Sequence, residues 1–377
     1  MTMKKLTLLL LLIASPIHAT DLKDVTAKLA SENVKERRAA SEALGQMGVK
    51  AIDAKAALYR ALTDSDVMVR ANAAWALGKI DPRDRETIQK LIAATGDNDW
   101  SVRHNAAQSL VKAGPAAIES LEECLKNSDA WQRFYAADTL VRIDRQKSGL
   151  ALPILVAALK STDAEMQGRS IGTVSFLGRA AESAAPELLK LAGHPNNKLR
   201  ISAITAAGAF GPAVKEGVPD LINLLEKEKD DPVRCAVYAT LAAIGEPSEL
   251  IIPALVKGLA EKKERPQAIA GEALAKLGVA AVEPLLKAIQ SGNFRVAALD
   301  SLVLIGPAAK GAVPVLLDLM DDRDWMVRQR AAATLGVIGE ANDRVRNTLV
   351  KASNDPHESV RAHATAALTG LENKLGR

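Results

Sequence analysis

Apolar residues in this chain return at three- and four-residue steps over short stretches, and the stretches themselves return. In "VRANAAWALGKI" (69–80), Val69, Ala73, Leu77 and Ile80 fall on one side of a helix. "DWSVRHNAAQSLVKAG" (99–114) and "DWMVRQRAAATLGVIG" (324–339) repeat that pattern 225 residues apart. The Arg of the Val-Arg pair, or the residue in its place, serves as a marker. Arg37, Arg70, Arg103, Arg133, Arg200, Arg234, Arg295, Arg328 and Arg361 fit, with Ser170 and Gln267 in the same slot of two degenerate copies. Half of the intervals between markers are 33 residues, with 37 and then 30 on either side of Ser170. Seven residues on stands a Leu in every copy but one, where Ala207 replaces it, and eleven on there is often a Gly. A period of this size is the signature of stacked supersecondary units.

Each unit contains a second apolar-periodic segment, clearest in "GVPDLINLL" (217–225), "IIPALVKGL" (251–259) and "AVPVLLDLM" (312–320). Its Pro recurs as Pro153, Pro186, Pro219, Pro253, Pro284 and Pro314. Proline suits the first turn of a helix, where its missing N–H would be unpaired in any case. Turns rich in Asp and Asn separate the two segments, and those residues favour turns and helix N-caps. No stretch alternates apolar and polar residues long enough to argue a strand. The pattern predicts an all-α stack of about eleven helical hairpins, about 22 helices in total. A lone hairpin cannot bury its apolar side, but neighbours in a stack shield one another. The paired alanines of the second helix, such as Ala73-Ala74 and Ala331-Ala332, allow close helix packing.

Composition agrees with one elongated core. Aromatics make up only 3% of the chain while hydrophobic residues reach 48%, so few large anchors serve a spherical interior. The Pro-led first helix, an Asp six residues before an Arg, and "VRxxAAxxLGxIG" resemble HEAT repeats. The short period is similar to the lyase-like subgroup associated with bilin lyases. That resemblance implies an α-solenoid of the HEAT/armadillo kind and leaves function open, since one fold hosts many activities.

The opening "MTMKKLTLLLLLIASPIHAT" has a basic start, Lys4 and Lys5, an apolar run from Leu6 to Ala14, and a small residue at Ala19. This is the layout of a cleavable secretory leader, and the run falls short of the ~20 residues that span a bilayer. The expected organisation is a leader over residues 1–19, one solenoid over 20–371 and a short tail over 372–377. The mature protein is expected to be periplasmic or secreted, with no membrane association once the leader is removed. Cys124 and Cys235 fall three repeats apart among apolar neighbours, where Cys acts as a small hydrophobe rather than a disulfide partner.

The row of arginines invites a polyanion-binding reading. Asp64, Asp97, Asp322 and Asp355 lie six residues before Arg70, Arg103, Arg328 and Arg361, and Asn127 lies six before Arg133. The expectation is therefore a structural ladder, each turn carboxylate meeting an Arg of the same or the next repeat. Net charge is +4 and falls to +2 without Lys4 and Lys5, which is not the field of a nucleic-acid binder. The mature chain keeps four histidines, with one His-Glu pair at His357-Glu358, whereas the di-iron deoxyhypusine hydroxylase type of HEAT enzyme carries several such pairs. No H-E-x-x-H, nucleophile elbow or phosphate loop is present. No catalytic residue, cofactor or metal is expected, and bilin-lyase chemistry fits poorly with an exported protein.

Binding of a protein partner along the concave face remains. Positions two, five and nine after the marker are expected to point away from the core. In repeats 2–4 they read Asn72, Trp75, Lys79, then Asn105, Gln108, Lys112, then Tyr135, Asp138, Arg142. This polar groove with two aromatics has the composition of a protein contact surface. The equivalent positions later in the chain are small or apolar, as at Ala236, Ala239, Ala243, Ala297 and Leu304. Trp100 and Trp325 are expected to pack over the turns between helices.

Overall fold

The computed structural model describes residues 22–374. The expected leader, 1–19, and the last three residues of the expected tail lie outside the described residues. Among those described, twenty-two α-helical segments alternate with turns and short 3-10 pieces, and there is no strand. They pair as expected, two to a repeat. The final helix, Glu358–Lys374, runs through the first part of the expected tail.

The second helix of most repeats starts on an acidic or amide cap. Asp66 accepts from the amides of Met68 and Val69 at 3.0 and 3.2 Å, and Asp99 accepts from that of Ser101 at 2.8 Å. Asp129, Asp163, Asn196, Asp230 and Asp324 cap their helices in the same manner. These caps correct the register of the fifth repeat. Its second helix, Ala164–Leu177, is capped by Asp163, so the residue four past the cap is Gln167, as Arg70 is four past Asp66. The marker is therefore Gln167 and not Ser170. The flanking intervals become 34 and 33, and the apparent lengthening disappears. Eleven past Gln167 stands Gly178, whose φ of +56° matches the +58° of Gly48 at the same point of the first repeat. Only a residue without a Cβ turns the chain there cheaply.

The prolines divide into two groups. Pro186, Pro219 and Pro314 sit in the first turn of their helices. Pro153, Pro253 and Pro284 lie inside Ser148–Leu159, Ser248–Gly258 and Val279–Gln290. In the first group a seven-residue 3-10 segment such as Gly306–Ala312 precedes the helix. In the second group no such segment stands there, and the α-helix begins five residues before the proline.

Contacts divide the chain into two compact units, Met1–Ser161 and Thr162–Arg377. The first holds four complete repeats and the first helix of the fifth. Its core contains Leu44, Leu58, Leu77, Leu91, Leu110, Leu121 and Leu140, all fully buried. Each contributes about 1.5–3 kcal/mol by leaving water. The second unit begins with the second helix of the fifth repeat and runs through repeats six to eleven. Leu241, Leu274, Leu302 and Leu335 occupy the same position there and are just as buried. Second helices touch their successors closely. A Cβ on Gly78 would sit 2.9 Å from Cα of Ser109, and one on Gly336 would sit 2.9 Å from Cα of Ala367.

Candidate protein-binding face

The marker arginines build the connections between layers. Arg37 grips Asp64 with two parallel bonds of 2.7 and 2.9 Å, Arg70 grips Asp97 at 2.7 and 3.0 Å, and Arg328 grips Asp355 at 2.7 and 2.9 Å. Arg200 meets Glu228 at 3.1 Å, while Arg234 pairs with Glu261 and Arg295 with Asp322. In Arg37, Arg70, Arg200, Arg234 and Arg328 the third nitrogen of the guanidinium turns back to its own repeat. Nη1 of Arg70 donates to the carbonyls of Asp64 and Ser65, and Nη1 of Arg328 to those of Asp322 and Arg323. One side chain thus holds the turn of its own repeat by the backbone and the turn of the following repeat by its carboxylate.

This revises the expected pairing. Asp97 meets Arg70 of the preceding repeat, whereas Arg103 donates to the backbone carbonyls of Asp97 and Asn98. Arg133 likewise donates to the carbonyls of Asn127 and Ser128, and Arg361 to those of Asp355 and Pro356. The carboxylates are electrostatically set for this role. Asp355 lies below the usual carboxylate range because Arg328 donates to it. At Asp64 and Asp322 burial pushes upward, but the bonds from Arg37 and Arg295 prevail and hold both low. Where Asn127 replaces the carboxylate, the Arg103 guanidinium lies 3.9 Å over the ring of Trp131. Trp131 in turn packs edge-on against Phe134 and stacks on Tyr135. An amide cannot supply the charge of the missing carboxylate, and an aromatic face gives the cation another favourable neighbour.

Of the nine residues expected to line a groove, four turn into the structure or across to a neighbour. Tyr135 is fully buried in the Trp131–Phe134 cluster. Asp138 is also buried and accepts from Nε of Arg142 at 2.9 Å, one helical turn on. Asn72 and Asn105 face the preceding second helix, where they donate to the carbonyls of Arg38 and Ala71 at 3.4 and 2.9 Å. Position two after the marker therefore belongs to the cleft between adjacent helices. Trp75 is half-buried and lies over Gly45, where a Cβ would come within 2.2 Å of its ring. Lys79, Gln108, Lys112 and Arg142 are exposed. They form the outer surface of this helix row, with the Lys79 ammonium 5.8 Å above the Trp75 ring. Burial of its stem, and then the charge of Lys79, hold the Lys112 ammonium below its ordinary value.

In the second unit, taken by itself, the corrected register marks the equivalent positions. Nine residues past Gln167 comes Phe176, 47% exposed, and the same position in later repeats holds Leu304 and Val337, 56% and 41% exposed. The row is basic in the first unit and mainly apolar in the second. Phe176 was hidden by the misplaced marker, and the glycine at 178 was the signal that could have found it.

Other polar clusters are structural. Lys55 bridges Asp81 and Asp84 at 2.9 and 3.1 Å, and Tyr59 bonds Asp84 and Thr87, joining the first helices of repeats 2 and 3. Trp325 stacks on His357 at 3.7 Å, across to the next repeat's turn, whereas Trp100 is 55% exposed and departs from the expected packed position. Cys124 and Cys235 are free and buried, and burial pushes the Cys124 thiol up to about 11. Among the described residues no group of three or more His, Cys, Asp or Glu side chains is placed to hold a metal ion.

The profile of the HEAT repeats matches residues 22–111, 88–175, 185–275, 252–335 and 282–369. The chain belongs to the HEAT-repeat family. Solved structures with a similar fold include importin beta, with a TM-score of 0.56 and 16% identity over 95% of this chain and 56% of that one. Kap121p gives a TM-score of 0.63 and 17% identity over 93% of this chain and 44% of that one. Kap121p bound to Nup53p gives 0.63 and 15%, with the same coverage. This HEAT-repeat chain spans about half the length of those proteins. No protein of curated function matches it in sequence.

Proposed function

We propose that this HEAT-repeat protein is a non-catalytic scaffold that binds a protein partner along the exposed row of its second helices, with the basic stretch Lys79–Lys112–Arg142 as the primary contact. The observation that carries this reading is the state of that row. Most of the marker arginines are bound into the layer connections, yet Lys79 and Lys112 make no ion pair among the described residues, and Lys79 stands beside the half-buried Trp75. Arg and Trp anchors on a preorganised surface are the usual source of contact energy. Kap121p, similar in fold, is bound to Nup53p in one structure and to Pho4p in another. The basic and apolar leader supports action outside the cytoplasm. Amino-terminal sequencing of protein from the exported fraction should begin at Thr20, and an intact Met1 there would refute export by cleavage.

A photoreactive residue at Gln108 tests the surface. It should capture a partner that the same residue at exposed Glu119, on a first helix, does not. Equal capture from both positions, or none from Gln108, would remove the reading.

A further inference from the structure

The basic row has a spacing that constrains what it fits. Lys79, Lys112 and Arg142 occupy one position in three successive repeats, at the C-terminal ends of Val67–Ile80, Trp100–Ala113 and Ala130–Ile143. Adjacent packed helices lie ~8–10 Å apart, so successive cations on the row are separated by about that distance. An extended peptide advances ~3.3 Å per residue, and a polyproline II segment ~3.1 Å with three residues per turn. Three residues of a polyproline II segment therefore match one repeat and complete one turn, so every third side chain returns to the same side, whereas in a β-strand it would fall on the opposite face.

We propose that the row receives an extended acidic segment of a partner protein, with carboxylates at every third residue seated on Lys79, Lys112 and Arg142. The inference rests on the scaffold reading above and specifies its partner. Charge complementarity supports it. Among the described residues the Lys79 and Lys112 ammonium groups have no carboxylate within ion-pair distance, while Arg142 already shares Asp138. Lys79 is steadied over Trp75 and so loses less freedom when a carboxylate arrives. Gln108 stands one helical turn before Lys112 on the same helix, with an exposed amide that can bond a peptide backbone. The cations sit where the helix dipoles end, which favours their positive charge without neutralising it.

The test uses the mature full-length chain and fluorescein-labelled nine-residue peptides read by anisotropy at low salt. One peptide carries Glu at positions 1, 4 and 7 with Ser and Gly between, and a second has the same composition with the three Glu contiguous. The spaced peptide should bind several-fold more tightly. The double variant Lys79→Glu/Lys112→Glu should lose about tenfold of that affinity, the size expected of two exposed charge contacts, with helical circular dichroism unchanged. Equal binding of the two peptides, no loss in the double variant, or tighter binding of a single-stranded DNA 12-mer would overturn the proposal. Failure of the wider reading looks different. The steric variant Gln108→Trp should displace any occupant of the face. If it abolishes partner capture while the charge reversal does not, the face binds but its partner is not acidic; if neither variant matters, the face itself is not the site.

Discussion

At the level of single residues, periodicity tells which side of a helix is apolar but not how far a neighbouring helix reaches round it. That is why Tyr135 and Asn105 read as groove residues and are in fact packed against the preceding layer. Trp75 shows the same effect. Its partner is a hydrogen atom on Gly45, invisible unless the two repeats are superposed in space. Gly45→Ala should therefore destabilise the first unit by roughly 1–3 kcal/mol through overpacking, although Ala is the better helix former. Urea denaturation followed by Trp fluorescence would measure it; a neutral result would mean that the Trp75 ring moves aside freely. The cation–carboxylate connections were legible as residue types at fixed spacing, but their direction was not, because the Asp six residues before one Arg bonds the side chain of the Arg 27 residues before it, a separation that only stacking makes short. Asp97→Ala should cost about 2 kcal/mol, since it leaves the mostly buried Arg70 without its charged acceptor. Asp97→Asn should restore only part, as an amide still accepts from the Asp99 amide without meeting the charge.

At the level of helices, the hairpin pattern and the all-α class were readable throughout, because eleven copies of one pattern reinforce each other. The weak points were degenerate copies. The fifth repeat lacks both the arginine and the second-helix leucine, so sequence spacing alone chose Ser170, whereas the Asp163 cap and the left-handed Gly178 fix the register at Gln167. Local backbone chemistry was the better guide than the side chain that fills a slot. Helix contacts depend on small residues at defined points. Gly78→Ala presses on backbone as well as side chain of Ser109, so it should separate the second helices of repeats 2 and 3 and cost more than Gly45→Ala, by about 1 kcal/mol. A smaller loss at Gly78 than at Gly45 in the same denaturation assay would contradict the close approach.

At the level of the whole chain, stability in a repeat protein is approximately a sum of layer and interface contributions. Many of the interface contributions here are carboxylates with depressed pKa values. Asp66 lies at about 2 because Arg38 donates to it, and Asp84 at about 2 through the Thr87 amide. Asp64, Asp322 and Asp355 are also lowered. A depressed folded-state value means the stabilisation is complete above the unfolded value of ~3.9 and is lost as pH falls through the folded value. Thermal unfolding should therefore change little from pH 7 to 5 and drop steeply between about pH 4 and 2, in both units. A melting temperature flat down to pH 2.5 would show that these pairs contribute nothing net.

The layer connections also have a sense of travel. Where the code holds, a layer lends its cation to the layer after it and receives a cation from the layer before, so the chain carries an arrow as well as a period. Removing residues 65–97 would join Asp64 to Asn98, in the place of Asp97, and still leave Arg37 facing an acid, with no orphaned charge. A block excised at the fourth or fifth layer, where Asn127 and Gln167 break the code, has no such clean seam. Duplication or loss of a block would therefore leave the charges matched at seams where the code is intact and mismatched at those where it lapses.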